Sequence, residues 1–226
     1  MSQPAPRRRA PRNSLSADLI VDRALGLLDA KGPGAFSMRA LAEDLGVGTM
    51  ALYTYFRGKD EIFRAARDRV LAAYRPPSTS GNWDEQLRAV CLAMYELFIG
   101  RPAVLHLLAQ GHAEGDFADA ATVTMERILL LLRQSGLGRE EAARAAGTLL
   151  RYTIGSALRE VRDCGMPGQI ETMRVRMASL SPALHPTVTD LAPELATVLS
   201  DGVGQYTFGL DLILAGLQGL AAHAAD

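Results

Sequence analysis

The stretch "FSMRALAEDLGVGTMALYTYF", residues 36–56, decides the fold. Ser37 can cap a helix by accepting an amide its first turn would otherwise orphan, and Phe36 before it can staple to Leu41. The apolar spacing predicts a helix from about Met38 to Leu45. Gly46 stops it, because a residue without a Cβ enters the left-handed turn conformation freely. A second helix is predicted from about Thr49 to Phe56. Two short helices around a tight glycine turn make a helix-turn-helix. Ala42 is small where the pair must approach closely. Leu41, Leu45, Val47, Leu52 and part of Tyr55 face inward. At about 100° per residue, Leu52 and Phe56 share one side of the later helix, with Tyr55 at its edge. Thr49, Met50, Tyr53 and Thr54 occupy the other side. That side holds no carboxylate, so it can approach a phosphate-lined groove without repulsion. Threonine can bond base edges, methionine can touch a thymine methyl, and tyrosine hydroxyls can reach phosphates. Arg39 and Lys59 flank this side and suit backbone or groove contacts.

Working outward, Ser16 caps a preceding helix, with Leu15 and Ile20 as its staple. Its core face is Leu19, Ile20, Ala24, Leu27 and Leu28, and Gly32-Pro33-Gly34 ends it. Residues 1–15, with Arg7, Arg8, Arg9 and Arg12, read as a disordered basic arm. On the other side, Asp60 and Glu61 open a helix to about Arg75, acids placed where the dipole favours them. Residues 16–75 thus form one three-helix DNA-binding unit with this exit helix. Residues 76–82, "PPSTSGN", read as a linker. Beyond it, helices are predicted at about 83–100, 103–110, 116–135, 139–163, 191–200 and 205–223. The proline- and glycine-rich run 164–190 reads as a long mobile connection. No strand pattern stands out, so the fold is all-α: a three-helix domain plus a larger helical domain over 83–226.

Composition agrees. Residues 1–75 carry 13 Lys/Arg against 8 Asp/Glu, and the rest carry 11 against 17. A basic first third on an acidic body points to a polyanion partner for that third alone. No apolar run is long enough to span a bilayer and no signal-peptide core follows the arginines, so a cytoplasmic protein without a membrane partner is expected. Cys91 and Cys164 match no metal or redox spacing and read as buried or idle thiols.

With these residues in view, the chain resembles the TetR family of transcriptional repressors. "SADLIVDRALGLLDAKG" and, above all, "LYTYFRGKDEI" carry the resemblance in the first third. "HLLAQG", "RYTIGSALRE" and "YTFGLDLILAGLQGL" are similar to the tetracycline-repressor subgroup. The resemblance implies that the third helix enters the major groove of a double-stranded operator. Carried over by position, Arg39 and Thr49 become base readers with Met50 and Ala51 alongside, and Thr54 lies on the same face. Tyr53, Tyr55 and Lys59 become phosphate contacts, and the Arg7–Arg12 arm an extra groove contact. Thr49-Met50 stand where the tetracycline repressor has Gln-Pro, so its operator sequence does not carry over.

Two later segments look built for helix association. Ala143, Ala146, Gly147, Leu150, Ile154 and Ala157 form a small and apolar stripe, as do Phe208, Leu212, Ala215, Gly219 and Ala222. The resemblance implies that they make a four-helix bundle across a two-fold homodimer, and hence a palindromic operator. Helices within 83–135 could enclose a cavity for a small organic ligand. Its candidate lining is Tyr74, Cys91, Tyr95, Phe98, His106, Gln110, Met125, Leu129, Arg151 and Tyr152. His106 matches the histidine that holds the tetracycline-chelated magnesium, but Arg159 replaces the glutamate of that site, with Glu160 one place on. No cofactor or metal is therefore expected, and the ligand would be apolar and aromatic, or anionic opposite Arg151. Two other readings stand beside the ligand-responsive repressor. One is a DNA-binding regulator whose later domain only dimerises. The other is an enzyme built on His106, His112, Glu114 and Asp116, whose spacing matches no known site.

Overall fold

The computed structural model describes residues 15–109, 119–164 and 168–225. The basic arm, Gln110, His112, Glu114 and Asp116 lie outside the described residues. Every regular element among those described is helical, and no strand occurs. The chain divides into two compact units, one built on residues up to Tyr74 together with Arg101–Thr122, the other on Arg75–Gly100 and Val123 onward.

The first unit starts with α1 (Ala17–Lys31), whose Ser16 cap accepts from the Leu19 amide at 3.1 Å. A 3₁₀ turn at Pro33–Ala35 leads to α2 (Met38–Leu45), where Ser37 accepts from Ala40 at 3.1 Å. Then come α3 (Thr49–Tyr53) and α4 (Lys59–Ala73). Ile20, Ala24, Leu28, Leu41, Leu52, Ile62 and Phe63 close one core, with Leu15 packed on its edge. Both predicted staples therefore end in the same cluster. Phe36 meets Phe63 edge-on with ring centres 4.9 Å apart, a favoured aromatic geometry. α6 (Pro102–Ala109), which the sequence reading placed with the later domain, adds Ala103 and Leu107 to this core and packs against α1 and α4. Arg101 just before it pairs with Asp29 of α1 at 2.8 Å.

In the second unit α5 (Trp83–Gly100) packs on α8 (Arg139–Cys164) and α12 (Gly202–Ala225), and α8 packs on α12. Leu87, Val90, Leu149, Leu210 and Leu214 are buried. Arg88 of α5 pairs with Asp211 of α12 at 2.7 Å, and Gln218 donates to Asp84 at 2.6 Å. α7 (Asp119–Gln134) contributes the buried Ile128, Leu131 and Leu132.

The expected long connection at 164–190 is corrected. Its described part holds α9 (Gln169–Ala178) and α10 (Pro186–Asp190), followed by α11 (Ala192–Ser200). Pro186 and Pro193 sit in first turns, where a missing N–H costs nothing. Within the expected connection Pro186 is thus a helix start, while Pro193 opens the helix expected at 191–200. These three helices pack on one another and α11 packs on α12.

Candidate nucleic-acid interface and ligand cavity

The turn between α2 and α3 is fixed by backbone bonds alone. Gly46 takes φ 68° and ψ 26°. Its N–H donates to Glu43 O at 3.2 Å, and the Val47 N–H reaches back to Ala42 O at 3.0 Å. This pair of bonds is a Schellman close, which satisfies carbonyls a helix end would otherwise orphan. α3 is shorter than expected. It ends at Tyr53, because the amides of Tyr55 and Phe56 both converge on Leu52 O at 3.0 Å. Glu61 in the first turn of α4 then accepts from the Arg57 amide at 2.5 Å.

The two sides of α3 separate as their spacing predicts. Leu52 is fully buried and Phe56 nearly so, while Met50 is 78% exposed and Tyr53 is also exposed. Thr49 and Ala51 are half-buried, and Arg39 and Lys59 lie on the surface. Three side chains carry commitments that spacing could not reveal. The Tyr55 hydroxyl donates to Leu15 O at 2.7 Å, tying the end of the helix-turn-helix to the start of α1. Tyr55 thus braces the unit with its one hydroxyl proton, which must be released before it can donate to a phosphate. The Thr54 hydroxyl donates to Ala51 O at 2.6 Å. Arg39 pairs with Glu43 at 3.0 Å, an exposed helix pair that a phosphate can displace at little cost.

Sequence reasoning missed Arg67. It lies on the inward side of α4 and is 2% exposed. Its Nε donates to Asp68 Oδ1 at 2.7 Å. Nη2 is as close to that oxygen but is angled too poorly for a second hydrogen bond. Adjacent helical residues do not face one another, which explains the poor angle. The signal available was its place one turn after Phe63, on an otherwise apolar side. Arg69 bridges α4 to both Asp18 and Asp22 of α1.

In the second unit Tyr95 and Tyr206 stack with centres 4.1 Å apart, and Tyr206 stacks on Tyr152 at 5.3 Å. The Tyr206 hydroxyl donates to Cys91 O at 3.0 Å and shares a 2.9 Å bond with Thr153. Burial pushes the Tyr206 phenol above its ordinary range and the Cys91 thiol up to about 12. Cys91 is thus a buried, inert thiol; nothing is described of the Cys164 side chain. The Tyr152 hydroxyl donates to Tyr206 O at 3.0 Å. Beside this stack a partly open cavity of about 360 Å³ is lined by Tyr152, Ser156, Arg159, Glu160, Gln205 and Tyr206, with Val198 and Gly202 at its edge.

Of the expected lining residues that are described, only Tyr152 reaches that cavity. Tyr95 and Phe98 are buried, and Tyr74, Met125 and Leu129 are half-buried. Arg151 is exposed, and its guanidinium lies back along its own helix beside Gly147. His106 belongs to α6 in the first unit, with Nδ1–H donating to Pro102 O at 2.7 Å. Among the described residues no group of three or more His, Cys, Asp or Glu could hold a metal ion. No single described helix is long and apolar enough to cross a membrane.

The two association stripes fare differently. On α12, Phe208 (62%) and Leu212 (61%) are exposed, and so are Ala215, Gly219 and Ala222. On α8, Ala143 is exposed and Gly147, Leu150 and Ile154 are half-buried. Ala146 and Ala157 instead turn into the monomer core, a correction to the stripe read from small residues alone.

Residues 20–66 match the model for bacterial regulatory proteins of the tetR family, and residues 75–220 match the tetracyclin repressor-like C-terminal domain. The chain belongs to the TetR family. The HTH-type transcriptional repressor DrrR1 of Streptomyces coeruleorubidus is 30% identical over 95% of this chain and 82% of its own. The class A tetracycline repressor from transposon 1721 in Escherichia coli is 29% identical over 77% of this chain and 80% of its own. Among solved structures, Streptomyces coelicolor ActR in complex with actinorhodin superposes with a TM-score of 0.81 at 31% identity, covering 94% of this chain and 99% of that one. Apo ActR gives 0.79 at 30% identity, with the same coverage. The all-α architecture with an N-terminal helix-turn-helix is the TetR fold, and the protein is a TetR-family transcriptional repressor.

Proposed function

We propose that this repressor works as a two-fold homodimer on a palindromic operator and is released by a small organic inducer. The carrying observation is the acid-free outer side of α3, where Met50 and Tyr53 stand exposed on a helix seated by Leu52. Thr49, Met50 and Ala51 read base edges, with Arg39 reaching in once it leaves Glu43. Tyr53 and Lys59 hold phosphates, and Thr54, its proton given to Ala51, accepts from a base amino group. Two copies of α3 must sit about 34–36 Å apart to meet successive major grooves. The exposed α12 stripe of Phe208, Leu212, Ala215 and Gly219, continued by Ala143, Gly147, Leu150 and Ile154 on α8, supplies the apolar surface for that pairing. Support for an inducer comes from the likeness to ActR, a protein solved with actinorhodin and with (S)-DNPA. An inducer acts by binding the non-DNA spacing better than the DNA-bound one.

Tyr53→Ala and Lys59→Ala should each weaken operator binding, and Lys59→Ala, which removes a charge, should also flatten the slope of log affinity against log salt by about 1. The chain should still sediment as a dimer. Unchanged affinity and slope in both variants would remove these contacts from the interface. Leu212→Arg should instead give monomers by analytical ultracentrifugation; a persistent dimer would reject the α12 stripe.

A further inference from the structure

We infer that the cavity between α8, α11 and α12 is a binding site for a neutral, planar, hydroxylated aromatic molecule of about two fused rings. The inference rests on the effector-responsive reading above only for its consequence on DNA. The size is the first argument. A cavity of about 360 Å³ lies at the small end of ligand pockets. The walls are the second. Tyr152 and Tyr206 belong to a parallel aromatic stack, and Tyr152 is held rigid. Its hydroxyl bonds the first turns of α12, in space that opens because residue 209 is glycine. A methyl at Gly209 would collide with that hydroxyl. A fixed aromatic wall favours a flat aromatic guest over a flexible aliphatic one.

Charge is the third argument. Arg159 and Glu160 bring one charge of each sign to the same cavity, and Ser156 and Gln205 add neutral donors and acceptors. A net anion gains from one and is opposed by the other, and a net cation likewise. Hydroxyls both donate and accept, so a phenol can serve the carboxylate and the guanidinium together. The Glu160 carboxylate also sits against the backbone of Gly202 at the start of α12, where any side chain would displace it into the cavity. His106, matched to the tetracycline-binding histidine, and the expected lining residues Met125, Leu129 and Arg151 are not part of this lining.

The test uses the full chain and isothermal calorimetry with three probes: 2,6-dihydroxynaphthalene, 2-naphthoate and cis-cyclohexane-1,4-diol. The dihydroxynaphthalene should bind once per chain and at least tenfold more tightly than the other two. Ser156→Phe, which fills the cavity, should weaken it at least tenfold, and Gly202→Ala several-fold. Ser156→Ala, which keeps the space, should retain binding within about threefold. Far-UV circular dichroism checks that each variant is folded. Equal binding by Ser156→Phe and the parent overturns the site, and tighter binding of naphthoate or the diol overturns the ligand class. Should Ser156→Phe misfold, Gly202→Ala decides alone, and unchanged affinity overturns the proposal. A probe that binds with this mutational pattern yet leaves the operator complex intact upholds the site and fails the effector reading.

Discussion

The helix-turn-helix region and the α9–α11 region are both short helices joined by tight turns, yet they are built on opposite terms. In α1–α4 each apolar side closes on one core, and Ile20, Leu41, Leu52 and Ile62 are fully buried. Across 168–200, Met177 is the one described side chain that is buried, while Val175, Leu184 and Val198 stand exposed. The caps differ in the same way. Ser16 and Ser37 bond the first turns of α1 and α2, but α9, α10 and α11 have no side-chain cap bond. One region is over-determined locally and globally. The other takes helical form with little burial and no side-chain N-cap bonds, and its stability is correspondingly local and low.

The sharpest way to break that contrast is to cut one side chain from each region. Leu52→Ala should cost about 2–5 kcal/mol in chemical denaturation, since a fully buried leucine leaves a cavity its neighbours cannot fill. Met177→Ala should cost less than half as much, because its sparsely packed surroundings can collapse. Equal losses would mean that the two regions are equally consolidated. Next in size come the local signals. Gly46→Ala forces an L side chain into a left-handed turn and should cost about 1–2 kcal/mol. Ser37→Ala should cost about 1 kcal/mol by removing a cap. Both should speed amide hydrogen exchange in α2, yet exchange in α9–α11 should remain faster even in the parent.

The last effect is absent at neutral pH and belongs to the second unit. The Cys91 thiol, raised to about 12 by burial, stays protonated in the fold after the unfolded chain has released its proton. Its contribution is therefore complete below the ordinary thiol range and is lost as pH climbs from there toward 12. The thermal midpoint should fall over that window, and Cys91→Ala should shallow the fall. Tyr206, raised in the same direction by the same burial, would add to the loss at the alkaline end.

Much of the first unit was legible because its signals are local. Ser37, Gly46 and the spacing of Leu41, Leu45 and Leu52 each act within about one turn of chain, and each points to the same fold. The outward-facing residues of α3 followed from helical phase alone. The Tyr55–Leu15 bond was not legible, since its partners are 40 positions apart. The burial of Arg67 was only faintly legible, from its place one turn after Phe63 on the otherwise apolar side of α4. The cavity was the least legible feature. Ser156, Gln205 and Tyr206 join it only through the close passage of α8 and α12, which Gly202 and Gly209 permit.

Sequence by itself determined the all-helical class, the glycine turn and the outward side of α3, because capping, handedness and helical phase are properties of a few consecutive residues. Tertiary packing alone decided that α6 joins the DNA-binding core, that Ala146 and Ala157 face inward, and that Pro186 begins a helix instead of ending a loop. A small apolar residue or a proline fits several environments equally well at the level of its own neighbours. Which one it takes is settled by the element that arrives against it from elsewhere in the chain.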